Sequence, residues 1–138
     1  MKKNQFLFLV TLSFSSFAEE DNIDCGNAFT TIDINRCAGI ELELAQKELK
    51  KYLKASFDHH SFGQKLVQSI KLAQKDWQAY THSHCKSVYT QWRGGSIRGV
   101  MGISCKTRLT KQRTHELWKN FLTYMDSTSP VLPEPSKH

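Results

Sequence analysis

Apolar residues recur every three or four positions in three separate blocks of this chain, with polar residues between them. Ala38, Leu42, Ala45, Leu49, Tyr52 and Leu53 make the first block, the spacing of one face of an α-helix. Thr30-x-x-Asp33 stands ahead of it in the form of a capping box. Gly39 inside the block costs about 1 kcal/mol against alanine, a local loss that burial of the leucines outweighs. The second block is Phe62, Leu66, Ile70, Ala73, Trp77, Tyr80 and His84, opened by Ser61-x-x-Gln64 and followed by Gly94-Gly95. The third runs from about Ile97 to Met125 through Met101, Cys105, Leu109, Leu117, Phe121 and Tyr124, its start blurred by Gly99 and Gly102. Nowhere do apolar and polar residues alternate over a length that would make a strand. The pattern predicts an all-α fold, a small antiparallel three-helix domain. Its first two helices are expected to be neighbours, joined across the short polar segment 56–60.

The ends of the chain depart from this pattern. Lys2 and Lys3 precede an apolar run from Phe6 to Val10, continued by Leu12 and Phe14, and Ser16-Phe17-Ala18 supplies the small residues of a cleavage site. Residues 1–18 read as a secretory signal peptide, too short and too serine-rich to remain as a membrane span. Cys25 comes seven positions after Ala18, so no lipid-anchor cysteine follows the cleavage point. The expectation is a periplasmic or secreted protein without a membrane anchor. At the other end, residues 127–138 hold all three prolines and read as a disordered tail with no core of its own. Residues 19–126 are left as one helical domain.

Charge is unevenly distributed. Residues 19–50 hold eight acids and three bases, a net of −5, whereas residues 51–138 hold five acids and fourteen bases, a net of +9. The excess of bases permits contact with anionic surfaces. It does not point to nucleic acid, since the chain is read as exported and carries no nucleic-acid-binding motif.

Export also decides how the four cysteines are read. Cys25, Cys37, Cys85 and Cys105 are an even set bound for an oxidising space, so disulfides are the default. In an up-down-up bundle all four gather at one end. Three pairings are open to them; Cys25–Cys37 with Cys85–Cys105 is favoured because each closes a local loop at an element boundary. Metal binding fits poorly. His82 and His84 are two apart on a helix and face different ways, and His82 with Cys85 supplies only two ligands. His59 and His60 sit at the far end of the second helix, about 36 Å away at 1.5 Å per residue. No C-x-x-C is present, and no nucleophile–base set is recognisable; His115 and Glu116 read as surface residues. The reading has no metal, no cofactor and no catalytic residue.

Trp77, Tyr80, Trp118, Phe121 and Tyr124 fall at helical spacing and are expected in the core. Trp92 differs: it sits beside Arg93 in the loop between the second and third helices, where both are candidate contact residues.

The same residues carry a likeness. The run LAQKDWQAYTHSHC resembles the motif L-x-x-A-Q-x-x-W-x-x-Y-R-x-x-x-C of the LprI-type lysozyme-inhibitor domain. Gln74, Trp77, Tyr80 and Cys85 match it, and Thr81 stands where arginine is usual. Upstream, CGNAFTTIDINRCA resembles the family's opening through Cys25, Thr31, Asn35, Cys37 and Ala38, continued by Leu49 and Tyr52. Downstream, Gly94-Gly95-Ser96, Cys105, Thr110, Arg113 and Leu117 match the closing segment. The resemblance implies a disulfide-bonded helical binding protein, not an enzyme, whose protein partner is a lysozyme. In such a complex the loop Trp92, Arg93, Gly94, Gly95, Ser96 and Arg98 would enter the enzyme's cleft. There guanidinium, hydroxyl and backbone N–H donors would cap the paired carboxylates. The plainer reading of that loop is a helix–helix turn whose glycines only permit tight geometry. Repulsion from a basic lysozyme would have to be offset by the acidic third of the chain, with Glu41, Glu43 and Glu48. The alternative function is an envelope protein that binds another cell-wall-active enzyme or toxin.

Overall fold

The computed structural model describes residues 23–136; the predicted signal peptide lies outside the described residues. A short 3-10 turn at Cys25–Asn27 leads into three helices, α1 (Thr31–His59), α2 (Gln64–Gln91) and α3 (Arg98–Phe121), and the described residues include no strand. The all-α class is as the periodicity predicts.

Local chemistry sets the helix ends. Thr30 is extended; its Oγ1 accepts the Asp33 N–H at 3.1 Å and donates to the Asp33 carboxylate at 2.7 Å. One exposed backbone donor of the first turn is thereby satisfied, and the acid lies where the helix dipole favours it. The start of α2 differs from its predicted capping box. Gly63 is the cap and contributes no side chain, while Gln64 Nε2 donates to the Ser61 carbonyl at 3.2 Å.

Contacts between the helices fix their directions. From α1 to α3, Asn35 abuts Gly99, Glu41 pairs with Lys111 at 2.7 Å, and the His60 ring reaches the Phe121 carbonyl at 2.9 Å, so the two run parallel. From α2 to α3 the order reverses: Gln74 meets Arg113, Cys85 bonds Cys105, and Tyr89 abuts Gly102. The bundle is up-down-up, with α3 packed on both partners. The expected α1–α2 neighbourhood is not the main interface; α3 lies between them, and a groove separates the first two helices. Gly99 and Gly102 make the close approach of α3 possible. A Cβ on Gly99 would lie 2.6 Å from Asn35 Oδ1, and one on Gly102 3.3 Å from Tyr89 Cβ. The glycines that blur the start of α3 in the sequence are what seat it against its neighbours.

The buried stripe of α2 also differs from the expected one. Val67, Ile70, Gln74, Thr81 and Cys85 are buried, whereas Phe62 is fully exposed and Leu66, Ala73 and Tyr80 face solvent. Tyr80 instead stacks on His84 with ring centroids 5.3 Å apart. Of the expected core aromatics, Trp77, Trp118 and Phe121 pack against the core, while Tyr80 and Tyr124 stay exposed.

The core is in two parts. Leu49, Tyr52, Ile70, Leu117 and Leu122 fill the end where α1 finishes, and Cys85, Cys105 and Leu109 fill the disulfide end. The tail does not behave as its composition suggests. Residues 127–136 fold back on the first cluster. Val131 N–H donates to the Leu122 carbonyl at 2.8 Å, the Trp118 indole to the Leu132 carbonyl at 2.9 Å and the Tyr52 hydroxyl to the Pro133 carbonyl at 2.8 Å. Leu132 packs against the core. A segment with no core of its own is held because two buried-edge aromatics need acceptors for their polar ends.

Candidate functional site

Two disulfides close the pole where α1 and α3 begin. Cys25–Cys37 pins the 3-10 turn to α1, and Cys85–Cys105 ties α2 to α3, with Cα separations of 5.6 Å in both. The described residues hold no free cysteine and no group of three or more His, Cys, Asp or Glu side chains that could bind a metal. No described helix is long and apolar enough to cross a membrane.

Between the two disulfide-linked helices runs the loop 92–97, exposed throughout. Successive turn hydrogen bonds shape it: Arg93 N–H to Thr90, Gly95 N–H to Trp92 at 3.0 Å, and Arg98 N–H to Gly95. Trp92 keeps 41 % of its surface in solvent. Arg98 folds back so that its guanidinium lies 5.4 Å from the Tyr89 ring centroid, a cation–π contact. Arg93 forms no ion pair among the described residues, and the N–H groups of Gly94 and Ser96 find no partner among them. All six predicted loop residues are thus contiguous on one surface, but Arg98 is partly committed to Tyr89.

The glycines of this loop are not required by the fold. Neither Gly94 nor Gly95 has a positive φ. A Cβ on Gly94 would meet nothing within 4 Å, and one on Gly95 only ordinary contacts from 3.7 Å. Phe29 and Ile32 at the start of α1 are also far out in solvent, at 85 % and 71 % exposure, on the same pole. Beside them Asp24 accepts from the Asn27 side chain and the Gly26 N–H, which together hold its carboxyl below the usual range.

A second feature was not legible as a site. Midway along the bundle, between the two apolar clusters, the buried positions are polar. Gln74 accepts from Arg113 Nε at 3.1 Å, Thr114 donates to the Thr110 carbonyl, and Thr81 Oγ1 and Arg113 Nη2 have no partner among the described residues. Gln74, Thr81 and Thr110 line the groove between α1 and α2, a cavity of about 350 Å³. The signals in the sequence are that Gln and Thr fall at positions 74 and 81 in helical register with Ile70 and Cys85, where a core helix would carry leucine, and that Gln74, Thr110 and Arg113 match the family motif.

A protein-family model described as lysozyme inhibitor LprI matches residues 24–117. An uncharacterized protein of Rhizobium meliloti (strain 1021) is 28 % identical over 111 residues, covering 72 % of this chain and 80 % of that protein. No solved structure matches. The matched segment takes in both disulfides, the exposed loop and the Gln74–Arg113 pair.

Proposed function

The chain belongs to the lysozyme inhibitor LprI family, and on that premise we propose that it is an exported protein that binds a lysozyme and blocks the enzyme's cleft with the loop Trp92–Arg98. The observation that carries this reading is the loop's glycine pair. A turn that merely joins two helices would use glycine for left-handed backbone or close packing, and Gly94 answers to neither. What the absent side chain does provide is bare backbone open to an incoming surface.

The loop's chemistry suits a glycosidase cleft. Such a cleft carries paired carboxylates, and Arg93, the Ser96 hydroxyl and the Gly94 and Ser96 N–H groups are donors without partners among the described residues. Trp92 supplies a half-exposed aromatic anchor of the kind that dominates binding energy. The Cys85–Cys105 bridge limits the ordering entropy lost when the loop docks. Approach to a basic enzyme draws on the acidic arm at the same pole, with Asp24 and Asp33; Glu41 is already engaged by Lys111.

The test is a turbidity assay of cell-wall lysis with oxidised protein against a panel of lysozymes. Inhibition by the native chain is expected to fall roughly thirtyfold in Trp92→Ala and in Arg93→Ala, about 2 kcal/mol each, with thermal unfolding unchanged. Gly94→Ala is expected to fold normally and to inhibit less. Undiminished lysis at excess native protein would end the inhibitor reading. Full potency in all three variants would move the contact surface away from this loop.

A further inference from the structure

A separate face of the molecule carries a groove away from the loop Trp92–Arg98. The groove between α1 and α2 is floored by α3 and lined by Gln74, Gln78, Thr81, Trp77, Lys50 and Lys106. A second cavity of about 360 Å³ shares His82 and Lys106 with it and continues between α2 and α3 to Tyr89. From Gln74 to Tyr89 the two follow about 22 Å of helix, at 1.5 Å per residue. The first alone is within the usual size of a small-molecule site.

We propose that this continuous groove binds an oligosaccharide bearing carboxylate groups. The polar lining is amides and hydroxyls, which donate and accept in the fashion of sugar hydroxyls. Thr81 is only 7 % exposed and its Oγ1 has no partner among the described residues, so one hydrogen-bonding group is already desolvated. Gln74 is buried two turns earlier on the same face of α2 and held in orientation by Arg113. Trp77 supplies an aromatic surface on which a sugar ring's C–H face can lie. The charges are one-sided: Lys50, Lys86 and Lys106 line the two cavities without ion pairs among the described residues, and no carboxylate lines either.

Other ligands fit less well. An apolar molecule would leave the amides and Thr81 unpaired. A nucleic-acid backbone is served best by arginine forks, and the cations lining these two cavities are lysines. This groove makes no use of the loop Trp92–Arg98, and its proposal stands or falls apart from lysozyme inhibition.

The experiment is an amide and indole NMR titration of the full mature chain. The probe is a hyaluronan hexasaccharide, which alternates carboxylated with N-acetylated amino sugars. The Trp77 indole and the Gln74 and Gln78 side-chain amides are expected to shift, with the Trp92 and Trp118 indoles unmoved. Lys50→Glu with Lys106→Glu should weaken binding tenfold or more, on the order expected for charges facing charges. Thr81→Val should weaken it about fivefold by removing one hydrogen bond, while its unchanged amide spectrum reports an intact fold. No shift with hyaluronan at millimolar concentration overturns the proposal. Equal shifts with neutral chitohexaose overturn the carboxylate requirement, and larger shifts at the same signals with oligothymidylate replace a glycan by nucleic acid.

Discussion

Removing each disulfide separately asks which of the two sustains the fold. Both close short loops, with sequence separations of 12 and 20 residues. The chain-entropy relation gives about 2.8 kcal/mol for the shorter and about 3.3 kcal/mol for the longer, a difference too small to rank them alone. Burial ranks them. Cys85 and Cys105 are 1 % and 6 % exposed and form a core cluster with Leu109, against which Trp77 and Val88 pack. Cys25 is exposed and Cys37 only partly covered. Replacing the buried pair with alanine also opens space for two sulfur atoms, each comparable to a lost methyl at about 1 kcal/mol. The expected costs are therefore about 5 kcal/mol for Cys85→Ala with Cys105→Ala, and about 3 kcal/mol for Cys25→Ala with Cys37→Ala. Urea unfolding followed by circular dichroism measures both, with the slope checked for a changed denatured state. A larger loss from the exposed pair, or losses under about 1 kcal/mol from the buried pair, would refute the argument that burial separates them.

Thr30→Ala removes the α1 cap and should lower stability by about 1 kcal/mol, with Thr30→Ser near neutral, both read from urea midpoints. Burial, with the Glu48 carboxylate second, holds the Tyr52 phenol above its ordinary value near 10. Its donation to Pro133 therefore adds stability that is fully present below pH 10 and is lost as pH rises through the raised value. An alkaline transition identical in Tyr52→Phe would contradict this. Leu132→Ala should cost about 1–2 kcal/mol, less than for a fully buried leucine. Ending the chain after Ser129 should red-shift Trp118 fluorescence as its indole loses the Leu132 carbonyl.

Much of the scaffold could be read from spacing alone. The α1 cap at Thr30 and the three helices follow from local chemistry, because capping and periodicity involve residues close in sequence. The four cysteines leave three pairings open, and the one favoured for closing short loops is the one formed. The α2 stripe was harder. Phe62, Leu66, Ala73 and Tyr80 keep helical spacing with Ile70 and Trp77, so counting apolar residues picks a face rotated away from the buried one. The true face is partly polar, and its burial of Gln74 depends on Arg113, 39 residues later. The tail escaped for a similar reason. Its proline-rich composition contains no sign that Trp118 and Tyr52 would present a donor to its carbonyls.

The polar middle of the bundle is the part that folding alone does not explain. Each buried hydroxyl or guanidinium nitrogen left without a partner costs on the order of 1–3 kcal/mol relative to a satisfied one, and among the described residues Thr81 Oγ1 and Arg113 Nη2 are two such atoms. Valine at 81 would remove the cost of the buried hydroxyl, whereas leucine at 74 would extend the apolar core only by taking the acceptor from Arg113 Nε. The chain instead concentrates its covalent and apolar strength at the ends, with disulfides at one and the folded-back tail at the other. Stability held at both ends tolerates a strained, hydrogen-bond-hungry centre. Such a centre lowers the penalty for binding, since groups already stripped of water lose none when a polar ligand arrives. Local rules broken without a folding gain are expected where function resides, and two buried polar residues of α2, Gln74 and Thr81, line one groove.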